Sequence, residues 1–134
     1  MVDDIIYNKA EIIERCIKRI KDEYANAPEN LTNITKQDSV ILNILRACEA
    51  AIDIAMHIVS EKRLGIPQNS RDAFEILNKN KIIDNELSKK MKAMVGFRNL
   101  AVHNYQVIDL SLVEAIIQNN LQDLLLFEEK ILKF

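Results

Sequence analysis

Apolar residues recur along this chain at spacings of three and four, the signature of helices with one buried side. In the first stretch, Ile5, Ile6, Ile13, Cys16, Ile17, Ile20 and Tyr24 form one stripe, and "NAPEN" stops it at Pro28. This predicts a helix over about residues 3 to 25. "TNITKQDS" then offers several caps, and from about Ser39 to Arg63 the pattern is apolar on nearly every side, so this second helix is central and buried. After "LGIPQNS", Ser70 caps a short helix, "RDAFEILNK", and Asp84 caps a longer one running through "ELSKKMKAMVGFRNLAVH". Asp109 caps a last helix, on which Leu110, Val113, Ile117, Leu121, Leu124 and Ile131 share one side. The expected fold is all-α, a bundle of four main helices plus a short one.

Composition narrows the picture. With two glycines and two prolines the chain lacks the turn formers that a β-rich fold needs. A length of 134 residues suits one domain spanning 1–134, with a core that needs no metal or disulfide support. Cys16 and Cys48 lie among aliphatic residues, too far apart for a CxxC motif, and are expected to be reduced core residues. The best apolar run, "AAIDIAMHIV", is interrupted by Asp53 and His57 and falls short of a membrane span. "MVDDIIYNKA" carries no basic-then-apolar order, so no secretory signal and a cytoplasmic location are expected. The net charge of −2 denies the chain a general attraction to nucleic acid, and any RNA contact must be local or use a partner's surface.

Two groups of polar residues exceed what a helical bundle requires. In the second helix Arg46, Glu49, Asp53 and His57 recur at three, four and four, and so share a face. The plainer account is a salt-bridged rim with His57 hydrogen-bonded to Asp53. The rival account is an Asp–His pair fixing an imidazole tautomer beside a site.

The second group is "GFRNLAVHNY", Gly96 to Tyr105. Arg98 offers a donor fork for phosphate oxygens, His103 moves protons near neutral pH, and Asn99, four residues before His103, can orient the ring or a substrate. Gly96 inside a helix suggests a close helix approach or a bend. Arg98 and His103 are about 140° apart on a regular helix, so one straight helix does not aim both at one atom. Either the helix ends or distorts near His103, or a second subunit contributes across a two-fold axis. A structural arginine and histidine remain the alternative. A metal site is disfavoured, because the two histidines lie in separate helices without a ligand cluster.

At these residues the sequence resembles the HEPN superfamily of small helical RNases, whose hallmark is arginine, a polar residue, a short spacer and histidine. "RNLAVH" fits with Arg98, Asn99 and His103. "MVGFRNLAVHNY" and "ACEAAIDIAMHIVSE" resemble the HepT branch, toxins paired with the minimal nucleotidyltransferase antitoxin MntA, and the resemblance covers most of the chain. It implies a homodimer about a two-fold axis and metal-independent endoribonuclease activity in a type VII toxin–antitoxin module, without a cofactor. Catalysis would rest on Arg98, Asn99 and His103, with Asp53 and His57 in supporting roles. It also implies adenylylation of Tyr105 by the antitoxin. Lys89, Lys90, Lys92 and Arg46 are the expected sources of local positive charge for RNA, although the lysine run also reads as a solvated helix face. From another class, the alternative function is a non-catalytic helical module that binds a nucleotidyltransferase; a purely structural helical dimer is a third.

Overall fold

The computed structural model describes residues 4–134, which form six α-helices and no strand among those residues. They are α1 (Asp4–Tyr24), α2 (Ile34–Glu61), α3 (Ser70–Lys79), α4 (Asn85–His103), α5 (Leu110–Asn119) and α6 (Leu121–Lys133). The expected start of the first helix at residue 3 lies outside the described residues. α2 is the central rod, packed against α1, α3, α4 and α6, and its pairing with α1 is the most extensive in the molecule. Its buried side carries Ala47, Ala50, Ala51 and Ala55 among Ile41, Ile44, Ile54 and Ile58, small residues that let neighbouring helices approach closely. Phe74 of α3 and Phe127 of α6 meet edge to face, centroids 5.4 Å apart, tying the middle of the chain to its last helix in one core.

The all-α bundle is as expected, with two shifts in helix limits and one division. α2 begins at Ile34, because the Asn33 side chain accepts from the Lys36 N–H at 3.0 Å. Its first turn, "ITKQD", has no apolar stripe to announce it, so the cap alone sets the start. α3 is capped by Asn69, one residue earlier than expected, through the Asp72 N–H at 2.9 Å. Asp84 and Asp109 cap α4 and α5 as expected. The last expected helix is two, α5 and α6, divided at Asn120. There the Asn120 amide donates to the Asp123 carboxylate at 3.0 Å, a local bond that competes with helix continuation while the apolar stripe runs on across the break.

One buried group on α6 makes stability depend on pH. Glu128 is buried, and its carboxyl is pushed up to about 7 by burial and by its hydrogen bond and repulsion with Glu14 of α1. A folded-state value raised above the unfolded one stabilises the protein fully at low pH, and this contribution is lost as pH rises through about 7. Glu128→Gln keeps a polar partner for Glu14 without the charge. It is expected to raise unfolding free energy at pH 8 by up to about 3 kcal/mol while leaving pH 4 nearly unchanged. Thermal denaturation at the two pH values checks this; an equal effect at both would remove Glu128 as the titrating group.

Candidate active site

The long helix α4 is continuous from its Asp84 cap to His103, and it stops there. The N–H of Asn104 closes on the Leu100 carbonyl at 2.8 Å, after which Tyr105–Val107 form a short 3-10 turn. The helix end foreseen near His103 is therefore present, and it leaves the imidazole exposed on the last turn. Asn99 lies one turn before it on the same face. Gly96 is a close-approach position: a Cβ there would come within 3.1 Å of the Arg71 guanidinium of α3.

Arg98 is half-buried and held from two sides. Its Nη1 donates to the Asn99 Oδ1 at 3.0 Å, and its Nη2 lies 3.5 Å from the Glu49 carboxylate on α2. Its Nε is buried and has no hydrogen-bond partner. Leaving such a donor unpaired costs about 1–3 kcal/mol, so packing stability alone does not account for an arginine here. The Glu49 pair is long and partly open to solvent, so it orients the guanidinium without sequestering it.

Tyr105 sits in the turn after α4, partly exposed, and its hydroxyl donates to the Asp38 carboxylate near the start of α2. Burial, then the hydrogen bond and charge of Asp38, push the phenol up to about 12. Asp38 and Glu49 thus fasten opposite ends of the motif to one helix. Neither partnership was foreseen. Glu49 stood out in the α2 stripe, but with Arg46 and Asp53 as its expected company; Asp38 lay in a stretch read as a cap, 67 residues from Tyr105 with no pattern linking the two.

The rest of the α2 stripe turns toward α1. Asp53 pairs with Lys9 at 2.9 Å, and His57 is half-buried one turn further on. Two acids of the stripe thus pair with cations on other helices, Asp53 with Lys9 of α1 and Glu49 with Arg98 of α4. The lysines upstream of the motif are mostly occupied: Lys92 pairs with Glu75, and Lys90 lies 3.6 Å from the buried Asp123. Cys16 and Cys48 are buried free thiols, and burial pushes Cys48 up to about 12. Among the described residues, no three metal-binding side chains come together, and no helix is long and apolar enough to cross a membrane.

An exposed imidazole, an oriented guanidinium and an amide at one helix end form an arrangement suited to acid–base work on a phosphate ester. Kinship agrees with it. The chain is 50% identical over 122 residues to the mRNA nuclease HepT of Shewanella oneidensis, covering 91% of this chain and 92% of that protein. It is 30% identical over 128 residues to the tRNA nuclease HepT of Aphanizomenon flos-aquae, covering 95% and 87% of the two. Its fold superposes with a TM-score of 0.94 on the tri-AMPylated HEPN toxin of Shewanella oneidensis solved in complex with the MNT antitoxin, at 47% identity, covering 99% of this chain and 100% of that one. A toxin–antitoxin solved with AMP-PNP gives the same TM-score of 0.94 at 47% identity, covering 98% of this chain and 100% of that one. The family model described as Ribonuclease HepT-like matches residues 13–131, and with the fold and the motif in agreement the chain belongs to the HepT-like ribonuclease family.

Proposed function

We propose that this protein is the toxin of a type VII toxin–antitoxin pair, a metal-independent endoribonuclease silenced by a nucleotidyltransferase antitoxin that places AMP on Tyr105. The observation that carries the proposal is the Arg98–Asn99–His103 set at the end of α4, with its guanidinium oriented by Glu49 and Asn99. In the reaction, the ribose 2′-oxygen attacks the adjacent phosphorus while the 2′-hydroxyl proton passes to a base. The bond to the 5′-oxygen breaks, and that oxygen takes a proton from an acid. The products are a 2′,3′-cyclic phosphate and a 5′-hydroxyl.

His103 serves as base or acid, and the Arg98 fork stabilises charge on the phosphorane oxygens. Asn99 positions Arg98, to which its oxygen is already bonded. Because Arg98 and His103 project from different sides of one helix, we assign the second proton-transfer group to a second copy of the chain. The homodimer would set two motifs face to face about a two-fold axis. Asp53, paired with Lys9, and His57 lie further along α2 and take supporting roles, His57 either assisting proton transfer or only bonding Asp53. The substrate is cellular RNA, and the related nucleases act on mRNA in one case and tRNA in the other.

The test is the identity of the products. Purified protein incubated with RNA in excess EDTA is expected to cleave at an undiminished rate and leave termini that mass spectrometry identifies as 2′,3′-cyclic phosphates. Cleavage abolished by EDTA, or termini carrying a 3′-hydroxyl, would overturn the mechanism. Intact RNA beside a stable complex with the nucleotidyltransferase would favour a non-catalytic binding module.

A further inference from the structure

If RNA is the substrate, a chain of net charge −2 must still hold a polyanion somewhere, and the lysines nearest the motif are largely paired. Away from α4, a groove of about 390 Å³ opens between α1 and α2, lined by Arg15, Cys16, Arg19, Asn43 and Arg46. Arg15 and Arg19 are one turn apart on α1, a like-charged pair that repels itself, and Arg46 reaches the same concavity from α2. The ion pairs found among the described residues include none of the three. The acid one turn along from Arg46, Glu49, is already engaged with Arg98. At the floor of the groove, burial raises the Cys16 thiol, and the charges of Arg46 and Arg15 oppose that rise. Two of these guanidiniums therefore act on the same point.

The groove is also placed to serve the site. Asn43 and Arg46 lie on α2 between Asp38, which holds Tyr105, and Glu49, which holds Arg98. That interval is about 16 Å of helix, and the Arg46 side chain leaves α2 about 60° around from Glu49. A strand with one phosphate at Arg98 can cross the outer face of α2 and set another in the groove a few nucleotides away. We propose that the Arg15–Arg19–Arg46 groove is a phosphate-binding subsite that holds the RNA backbone remote from the bond being cleaved. Guanidinium forks are suited to this, since each can offer paired donors to phosphate oxygens of any sequence. The inference rests on the ribonuclease reading above.

The experiment measures binding of a fluorescein-labelled RNA of random sequence to His103→Ala protein, with and without Arg15→Gln, Arg19→Gln and Arg46→Gln together. Circular dichroism and size-exclusion chromatography verify that both proteins fold and assemble alike. The triple substitution is expected to weaken binding at least roughly 10-fold at physiological salt. It should also flatten the log–log salt slope by about 2, at about 0.7 per lost phosphate contact on a single strand. The corresponding triple lysine variant should recover most of that slope. Unchanged affinity and slope, while the wild type still cleaves RNA, would overturn the subsite and leave the nuclease standing. An altered oligomeric state or lost antitoxin binding with RNA affinity intact would also overturn it, by making the groove a protein interface. If the parent binds no RNA and the wild type cleaves none, the nuclease reading falls and the subsite with it.

Discussion

Replacement of His103 by alanine is expected to lower RNA cleavage roughly 100- to 10,000-fold, the usual contribution of one positioned acid or base. The melting temperature should barely move, since His103 is exposed on the last turn of α4 and the residues that stop the helix contribute backbone groups there. This separation of activity from stability makes the substitution informative. Arg98→Ala is expected to be similarly inactive, because it removes the phosphate fork, and the half-exposed Glu49 that it leaves unpaired stays hydrated at little cost. Purified proteins assayed on RNA in parallel, with thermal melts, check both. Cells expressing the wild type without its antitoxin should arrest, while cells expressing His103→Ala should grow. A His103→Ala protein that cleaves at the wild-type rate would remove the imidazole from the chemistry and with it the proposed mechanism.

Tyr105→Phe is expected to abolish neutralisation while preserving toxicity, so that cells arrest even with the nucleotidyltransferase present. The argument is one of position and charge. Tyr105 follows His103 by two residues, in a turn whose ring is partly exposed, so AMP on its oxygen would place a negative phosphodiester beside the imidazole that must receive an RNA phosphate. Phenylalanine keeps the ring and its packing but offers no oxygen to modify. With its hydroxyl pushed up to about 12, Tyr105 is a neutral phenol at physiological pH, and transfer of AMP to it would need a base to take that proton. Mass spectrometry of the co-expressed proteins should show AMP on the wild type at Tyr105 and none there on Tyr105→Phe. Full neutralisation of Tyr105→Phe would mean that the antitoxin acts by binding alone or through another residue.

Much of this was legible in the sequence because its causes are local. Asp84 and Asp109 announced helix starts, since an N-cap acts within three residues of its own position. The chemical set of Arg98, Asn99 and His103 was visible because it occupies one turn and a half of one helix. What stayed hidden depends on packing between elements distant in sequence. Glu49 could be seen as a polar residue on an apolar helix, but only the packing of α4 against α2 decides that its partner is Arg98. Asp38 carried no signal at all. The division of the last helix at Asn120 was overlooked for the opposite reason: the apolar stripe continues through the break, and periodicity outweighed the local competition of two adjacent asparagines.

The contact between Tyr105 and Asp38 would give AMP addition at this tyrosine a second effect. Once the phenolic oxygen is esterified it has no hydrogen left to donate, so the bond that fastens the post-helix turn to α2 is cut chemically. Asp38 would then face a phosphodiester of its own sign in place of a donor, and the two would push apart. AMP at this tyrosine would therefore unmoor the segment after His103 as well as screen it. A modified toxin would differ from the active one in the shape of its catalytic margin, and hydrolysis of the AMP ester would restore both the donor and the anchorage.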